Sequence, residues 1–268
     1  MGCAPAQKPL TDYVNPMLGT ATLWDSVDLG FKPTKRTWGA EVFPGSALPN
    51  AMVQVSPVTK FHSGAGYQYE DSVIYGFTHT NKGHWNLCHI PLLPVTGTPT
   101  PGDYCSPFSH ERESAAPGYY QVFLDRYGVD AQLSSTLRCA FHKYTYPAGA
   151  AASLLADLQR SNEHVRAWDI RKEGDNVFAG WQQTGEKMYF YAVANRPVTG
   201  IEPIVEGDRE VRIVRFGEGD GALELRIGFS FVSEKNAREN LEAEMLGKSF
   251  AEVRSEATAT WNDLLGRI

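Results

Sequence analysis

No stretch of this sequence stays apolar for about 18 residues, so nothing in it reads as a bilayer-spanning helix. There is no long basic run either, and the formal charge is −6. A nucleic acid or an anionic membrane surface is therefore a poor partner. No GxSxG, HExxH, P-loop or GxGxxG ahead of a helix occurs, which withdraws support from the chemistries those motifs carry. Cysteine is sparse. Cys3, Cys88, Cys105 and Cys139 show no CxxC spacing and no disulfide-scaffold density. Cys3 sits in Met1-Gly2-Cys3-Ala4-Pro5, ahead of a polar stretch ending near Asp12. It reads either as the lipidated first residue of an exported lipoprotein or as an incidental thiol, since the apolar region of a signal peptide is not there to decide.

What is there suits many short strands joined by turns. Of 268 residues, 42% are apolar, enough for one sizeable core, and 25 Gly and 16 Pro punctuate the chain. From Tyr13 to Asn50 clean periods are few. Met52–Ser56 reads as a strand stopped by Pro57. Tyr119–Tyr127, Ala131–Leu137, Phe141–Tyr146 and Ala151–Leu158 follow as strands. Next come Val165–Ile170, Val177–Gln183 and Lys187–Ala194, spaced like a meander, then Val211–Phe216 and Leu223–Phe231. The alternation is that of half-buried antiparallel sheet. After Ser233 the period becomes helical. Ser233 caps a first helix through Ala237, Leu241 and Met245, ended by Gly247. Ser249 with Glu252 forms a capping box for a second, whose stripe holds Phe250, Val253, Ala257, Trp261 and Leu264/Leu265. That helix reads either as a connector to a further domain or as one packed on its own sheet.

Three clusters could carry chemistry. Trp38 to Pro49 is rigid with Gly and Pro, and reads as a pocket-lining loop or as a turn segment. The second cluster holds His79, His84 and His89, five residues apart, with Trp85, Asn86 and Cys88 between them. Five-residue spacing puts ligands on one face of neither helix nor strand, so a metal site would need partners from elsewhere. A sugar site fits these residue types better, because an indole face stacks on pyranose C–H groups while His and Asn bond hydroxyls directionally. A partly buried polar loop is the plainer alternative. In the third cluster, His110 and Glu111 could form an acid/base pair, yet neighbours on a strand point to opposite faces, which favours a structural use. Hydrolysis of a glycoside needs two convergent carboxylates. No pair is marked by context, and Glu41 and Asp71 are the nearest local candidates.

Several segments together resemble one family. Tyr13-Val14-Asn15-Pro16-Met17-Leu18-Gly19-Thr20 resembles the YVNPxIGT opening of glycoside hydrolase family 92. Phe43-Pro44-Gly45-Ser46-Ala47-Leu48-Pro49 with Met52–Pro57 is similar to its FPGAxLPFGMVQLSP block. Ile74-Tyr75-Gly76-Phe77-Thr78-His79-Thr80 resembles IxGFSHTH, and Ser106–Glu111 with Pro117-Gly118-Tyr119-Tyr120 resembles SxFSHxxExAxPGYY. Gly228–Ser233 with Ala237–Glu244 looks like GxSFVSxENAxxNLxAE. The segments run in order along nearly the whole chain.

The resemblance implies a mainly β fold, a large antiparallel β-sandwich of the galactose-mutarotase-like kind over residues 13–232. Residues 1–12 would be a leader remnant or tail. Residues 233–268 would be two helices linking to an (α/α)6 domain. It implies a calcium-dependent inverting exo-α-mannosidase acting on N-glycan or mannan chains, at α-1,2 or a related linkage. The catalytic Glu and Asp, and most calcium ligands, would lie on the (α/α)6 domain, so the sandwich carries no catalytic residue or metal ligand and is inactive alone. The sandwich would supply a pocket wall. Trp85 matches the aromatic position beside the leaving sugar, with His84, Asn86, Cys88, Glu41 and Phe43 as further substrate-binding residues. One segment departs from the family pattern: Asn81 to Cys88 replaces a Gly/Ser-rich SGTG stretch, leaving linkage open. Location would be periplasmic or at the cell surface, with Cys3 as a lipid anchor. Two alternatives stand beside this reading: a stand-alone carbohydrate-binding module, and a mutarotase-like enzyme with paired His and Glu.

Overall fold

The structure is a computed structural model that describes residues 8–22, 30–32, 42–82, 85–219 and 221–267. Among the described residues the strands pair antiparallel with their neighbours, and two sheets carry the fold. The seven-stranded sheet runs, in spatial order, β1 (Ser46–Ala47), β2 (Gln54–Val58), β4 (Gly76–Thr78), β7 (Leu92–Val95), β13 (Ser153–Ala156), β18 (Arg209–Phe216) and β17 (Val198–Glu206). The eight-stranded sheet begins with β14 (Ala167–Gly174), β15 (Val177–Gln183), β16 (Lys187–Ala194) and β19 (Leu223–Ser230). It continues with β12 (Cys139–Thr145), β11 (Val129–Ser135), β10 (Tyr119–Leu124) and β9 (Glu113–Ala116). Two ribbons, β3 (Val73–Ile74) with β8 (Ser106–Pro107) and β5 (Asn81–Lys82) with β6 (Trp85–Asn86), lie outside the sheets.

The sheets pack face to face because their alternation puts apolar side chains on the inner faces. Tyr120, Val122 and Leu124 point inward from β10, as do Leu225, Ile227 and Phe229 from β19, all with no exposed surface. They meet Val55, Phe77, Leu92, Leu154 and Ile213 of the opposite sheet in one continuous core. Burying each such side chain is worth about 1.5–3 kcal/mol.

Two helices, α1 (Glu234–Glu244) and α2 (Phe250–Leu265), cover the outer face of the eight-stranded sheet. Ser233 Oγ accepts from the Asn236 N–H, and Ser249 with Glu252 forms the full capping box. Leu241, Met245, Phe250 and Val253 pack with Phe141, Cys139 and Tyr119 in a second core. Gly228 makes the close approach possible: a Cβ there would lie 2.1 Å from the Ala237 carbonyl oxygen. Trp261 donates its indole N–H to the Ala47 carbonyl at 2.7 Å. The second helix is thus packed on its own domain.

Pro57 does not stop its strand, contrary to the sequence reading, because β2 continues to Val58. The reason is sidedness. Val58 O accepts from the Tyr75 N–H and Gln54 N–H donates to His79 O, so even-numbered residues face β4. Pro57 faces the other way, where pairing with β1 has already ended at Val55. No ladder bond is lost.

Candidate functional site

The Trp85 segment is held by a tightly knit polar loop. In the ribbon, Asn81 pairs with Asn86 and Lys82 with Trp85. Trp85 is half-buried. Asn86 is fully buried, and its amide is spent on the protein itself. Its Nδ2 donates to Ala65 O at 3.1 Å and its Oδ1 accepts from the Cys88 N–H at 2.7 Å. The Asn86 backbone N–H donates to Gly64 O at 2.8 Å. Gly66, at φ +76°, allows this contact, since a Cβ there would lie 2.5 Å from Asn86 Nδ2.

A second asparagine locks the other side. Asn162 Nδ2 donates to Asn86 O at 2.6 Å and to Ser63 O at 3.3 Å. Asn162 N–H and Ser161 Oγ both donate to Leu87 O, at 3.0 and 2.6 Å. Asn162 is invisible to local motif reading because its side-chain partners lie 76 to 100 residues away. It fixes the backbone on which Trp85 stands.

Cys88 has no exposed surface and packs with Val58 and Phe61, and burial pushes its thiol up. Asn86 and Cys88, expected to face substrate, are thus closed off within the domain; they shape the loop. Phe43 is half-buried and lines a different, apolar cavity of about 200 Å³ with Ala47, Pro117, Trp261 and Leu265. Its ring sits beneath α2, not on the Trp85 segment. Glu41 and His84 lie outside the described residues, as does Cys3. Asp71 Oδ2 accepts from Thr59 Oγ1 at 2.8 Å.

The other two histidines of the cluster are buried. His89 Nδ1 lies 2.9 Å from Thr80 Oγ1 and its Nε2 lies 3.0 Å from Thr184 Oγ1. Thr184 Oγ1 in turn donates to Glu163 at 2.6 Å. Burial lowers the His89 pKa, and the Glu163 carboxylate opposes that. His79 Nε2 lies 3.0 Å from His142 Nε2, and His142 Nδ1 contacts the Tyr144 hydroxyl. Burial pushes His79 down to about 3, so this pair is neutral. Among the described residues no group of three or more His, Cys, Asp or Glu side chains gathers to hold a metal ion.

The third cluster is built differently from its sequence reading. His110 opens a short 3₁₀ turn, which eclipses residues three apart. Its Nδ1 therefore meets Glu113 Oε2 at 2.6 Å, and Glu111 is exposed. Glu113 is buried and also accepts from the hydroxyls of Tyr67 and Tyr120. Burial, then the Glu113 charge, drives both phenols well above their ordinary range. His110 Nε2 lies 2.7 Å from Tyr69 O, and Tyr69 stacks on the imidazole with centroids 3.9 Å apart. Both ring nitrogens are occupied, so this is an anchored structural unit. Only a helical count over Ser109–Glu113 would have found it.

Beside Ser161 a polar cleft of about 880 Å³ opens, with Glu163, Asp169 and Glu210 on its wall. Each carboxylate has a partner: Thr184, Arg171 and Arg212 respectively. None stands as a free general acid facing a free base, the arrangement that glycoside hydrolysis demands.

Comparison with known proteins agrees with this architecture. The sequence model described as glycosyl hydrolase family 92 N-terminal domain matches residues 13–240. A solved family GH92 α-mannosidase of Bacteroides thetaiotaomicron superposes with TM-score 0.84 at 26% identity, over 98% of this chain and 39% of that one. A family GH92 inverting mannosidase of the same organism gives TM-score 0.81 at 24% identity, over 98% and 37%. A protein of Arthroderma benhamiae described as an uncharacterized secreted glycosidase is 24% identical over 96% of this chain and 38% of its own length. The chain thus spans under two fifths of the length of these relatives. The chain belongs to glycosyl hydrolase family 92 and carries that family's N-terminal domain.

Proposed function

We propose that this domain forms part of the sugar-binding wall of an exo-α-mannosidase. The general acid and base would come from a following (α/α)6 domain. The observation that carries the reading is Trp85: a half-buried indole on a segment that Asn86 and Asn162 hold rigid from both sides. An aromatic plate fixed in this way stacks on a sugar at small entropic cost. Family membership and the likeness to a solved α-mannosidase support the substrate class.

The substrate is an N-glycan or mannan chain, cut with inversion at α-1,2 or a related linkage. Calcium would be held mainly by ligands of the following domain. Export is supported by the relative described as secreted, and Cys3 would be the lipid anchor. No helix is long and apolar enough to cross a membrane, as far as the described residues go.

The test is activity of the protein extended through the following domain on a panel of α-mannobioses, with and without chelator. Trp85→Ala should lower kcat/KM about 10- to 100-fold, mainly through KM, as expected for a lost binding contact. Unchanged kinetics would remove Trp85 from the pocket.

A further inference from the structure

The large polar cleft lies where the two sheets part. Trp168 and Asp169 come from β14, the edge of the eight-stranded sheet. Glu210 and Arg212 come from β18 of the other sheet, and the connection through residues 159–166 closes one side. Such a seam would ordinarily be sealed with apolar side chains; here the wall is polar and open. At about 880 Å³ it has the volume of a small-molecule site and room for more than one sugar ring.

Its residues narrow the ligand class. Trp168, half-buried, supplies aromatic surface, and Phe61 is buried beneath Arg160 at the edge of the cleft. Three arginines, Arg160, Arg166 and Arg212, are balanced by Glu163, Asp169 and Glu210. A phosphate or carboxylate ligand would call for surplus positive charge, and an apolar ligand would take these charged groups out of water. A neutral polyol with many hydroxyls suits both donors and acceptors. The groups are also pre-set. Arg160 lies over the Phe61 ring at 4.5 Å and donates to the Tyr104 hydroxyl at 3.1 Å. Arg212 lies over the Trp168 ring at 4.8 Å and pairs with Glu210. Groups already fixed lose little freedom on binding.

The cleft and the support of the Trp85 segment share a residue. Ser161 lines the cleft, and the same Ser161 and its neighbour Asn162 hold the Leu87 and Asn86 carbonyls. From this geometry we infer that the cleft at Trp168 is a second carbohydrate site, taking a neutral oligosaccharide. Its assignment to mannose-rich glycan rests on the function proposed above: one arm of a branched glycan occupies the cleft while another reaches Trp85.

The test is calorimetric titration of the 268-residue chain with linear α-mannotriose, maltotriose and mannose 6-phosphate. Saturable binding of mannotriose is expected. Trp168→Ala should weaken it about tenfold or more, roughly 1.4 kcal/mol per tenfold, whereas Trp85→Ala should change it less than about twofold. Arg166→Ala, an exposed change that spares the core, should weaken it about threefold. Maltotriose bound in place of mannotriose, with the same dependence on Trp168 and Arg166, keeps the carbohydrate site and removes the mannoside reading. Absence of saturable binding by either trisaccharide, binding indifferent to Trp168 and Arg166, or preference for the phosphorylated sugar would each overturn the inference.

Discussion

His110 Nδ1 lies 2.6 Å from Glu113 Oε2, deep enough that the carboxylate has no exposed surface. Because Tyr67 and Tyr120 also donate to Glu113, removing the carboxylate strands three donors at once. Glu113→Ala should cost about 3–5 kcal/mol, the range for breaking a buried charged network. Glu111→Ala, at an exposed position, should change stability by under about 0.5 kcal/mol. Urea denaturation of both variants checks this. Equal effects would contradict the pairing.

The second prediction concerns acid. Burial holds His79 down at about 3 against an ordinary 6.5, and His142 is also pushed well down, by burial and by His79. The unfolded chain therefore binds protons below about pH 6.5 that the folded chain refuses. This contribution to stability is complete above pH 6.5 and drains away as pH falls toward 3, by up to about 1.4 kcal/mol per pH unit for each histidine. Urea midpoints between pH 7.5 and 4.5 should fall accordingly, and His142→Gln should flatten the slope. A wild-type midpoint independent of pH over this range would contradict the buried neutral pair.

The third prediction concerns the contact of helix with sheet. A Cβ on residue 228 would meet Ala237 O at 2.1 Å and Leu241 Cβ at 2.8 Å. Gly228→Ala should therefore lift α1 and cost about 1–3 kcal/mol, the usual penalty of overpacking. Faster proteolysis within residues 234–265, with the sheets intact by circular dichroism, is the expected signature.

A fourth prediction separates packing from chemistry in the second core. Phe141 is fully buried between Phe250 and the Arg226 guanidinium. Phe141→Ala should cost about 3–5 kcal/mol in thermal or urea unfolding. A loss below about 1 kcal/mol would mean that the helices contribute little to the domain.

Much of the fold was legible from period alone. Val177–Gln183 and Lys187–Ala194 are legible to the residue, because strict alternation is framed there by turn residues. Ser233 and Ser249 announced their helices, since a cap is a local hydrogen bond. Val198–Glu206 is not legible because it is an edge strand with Pro203 and an exposed Val205, so its alternation is weak. Leu92–Val95 is hidden for the opposite reason: four buried residues in a row carry no period.

The site was less legible. Asn86 looks like a sugar ligand in sequence, yet its amide is consumed by Ala65 and Cys88. Whether a polar side chain faces inward or outward depends on partners far along the chain, such as Asn162. Nothing local marks Trp168, because its place on the edge strand beside the cleft is set by the tertiary fold.

The central claim is that this domain builds a mannose-binding wall while the proton transfer belongs to a following domain. Its most direct test is NMR detection of mannose released from α-mannobioses, by the extended protein and by the 268-residue chain in parallel. The account predicts release as the β-anomer by the extended protein, lost on chelation of calcium, and none by the chain alone. Calcium-dependent release by the chain alone, or no release by the extended protein, would contradict it.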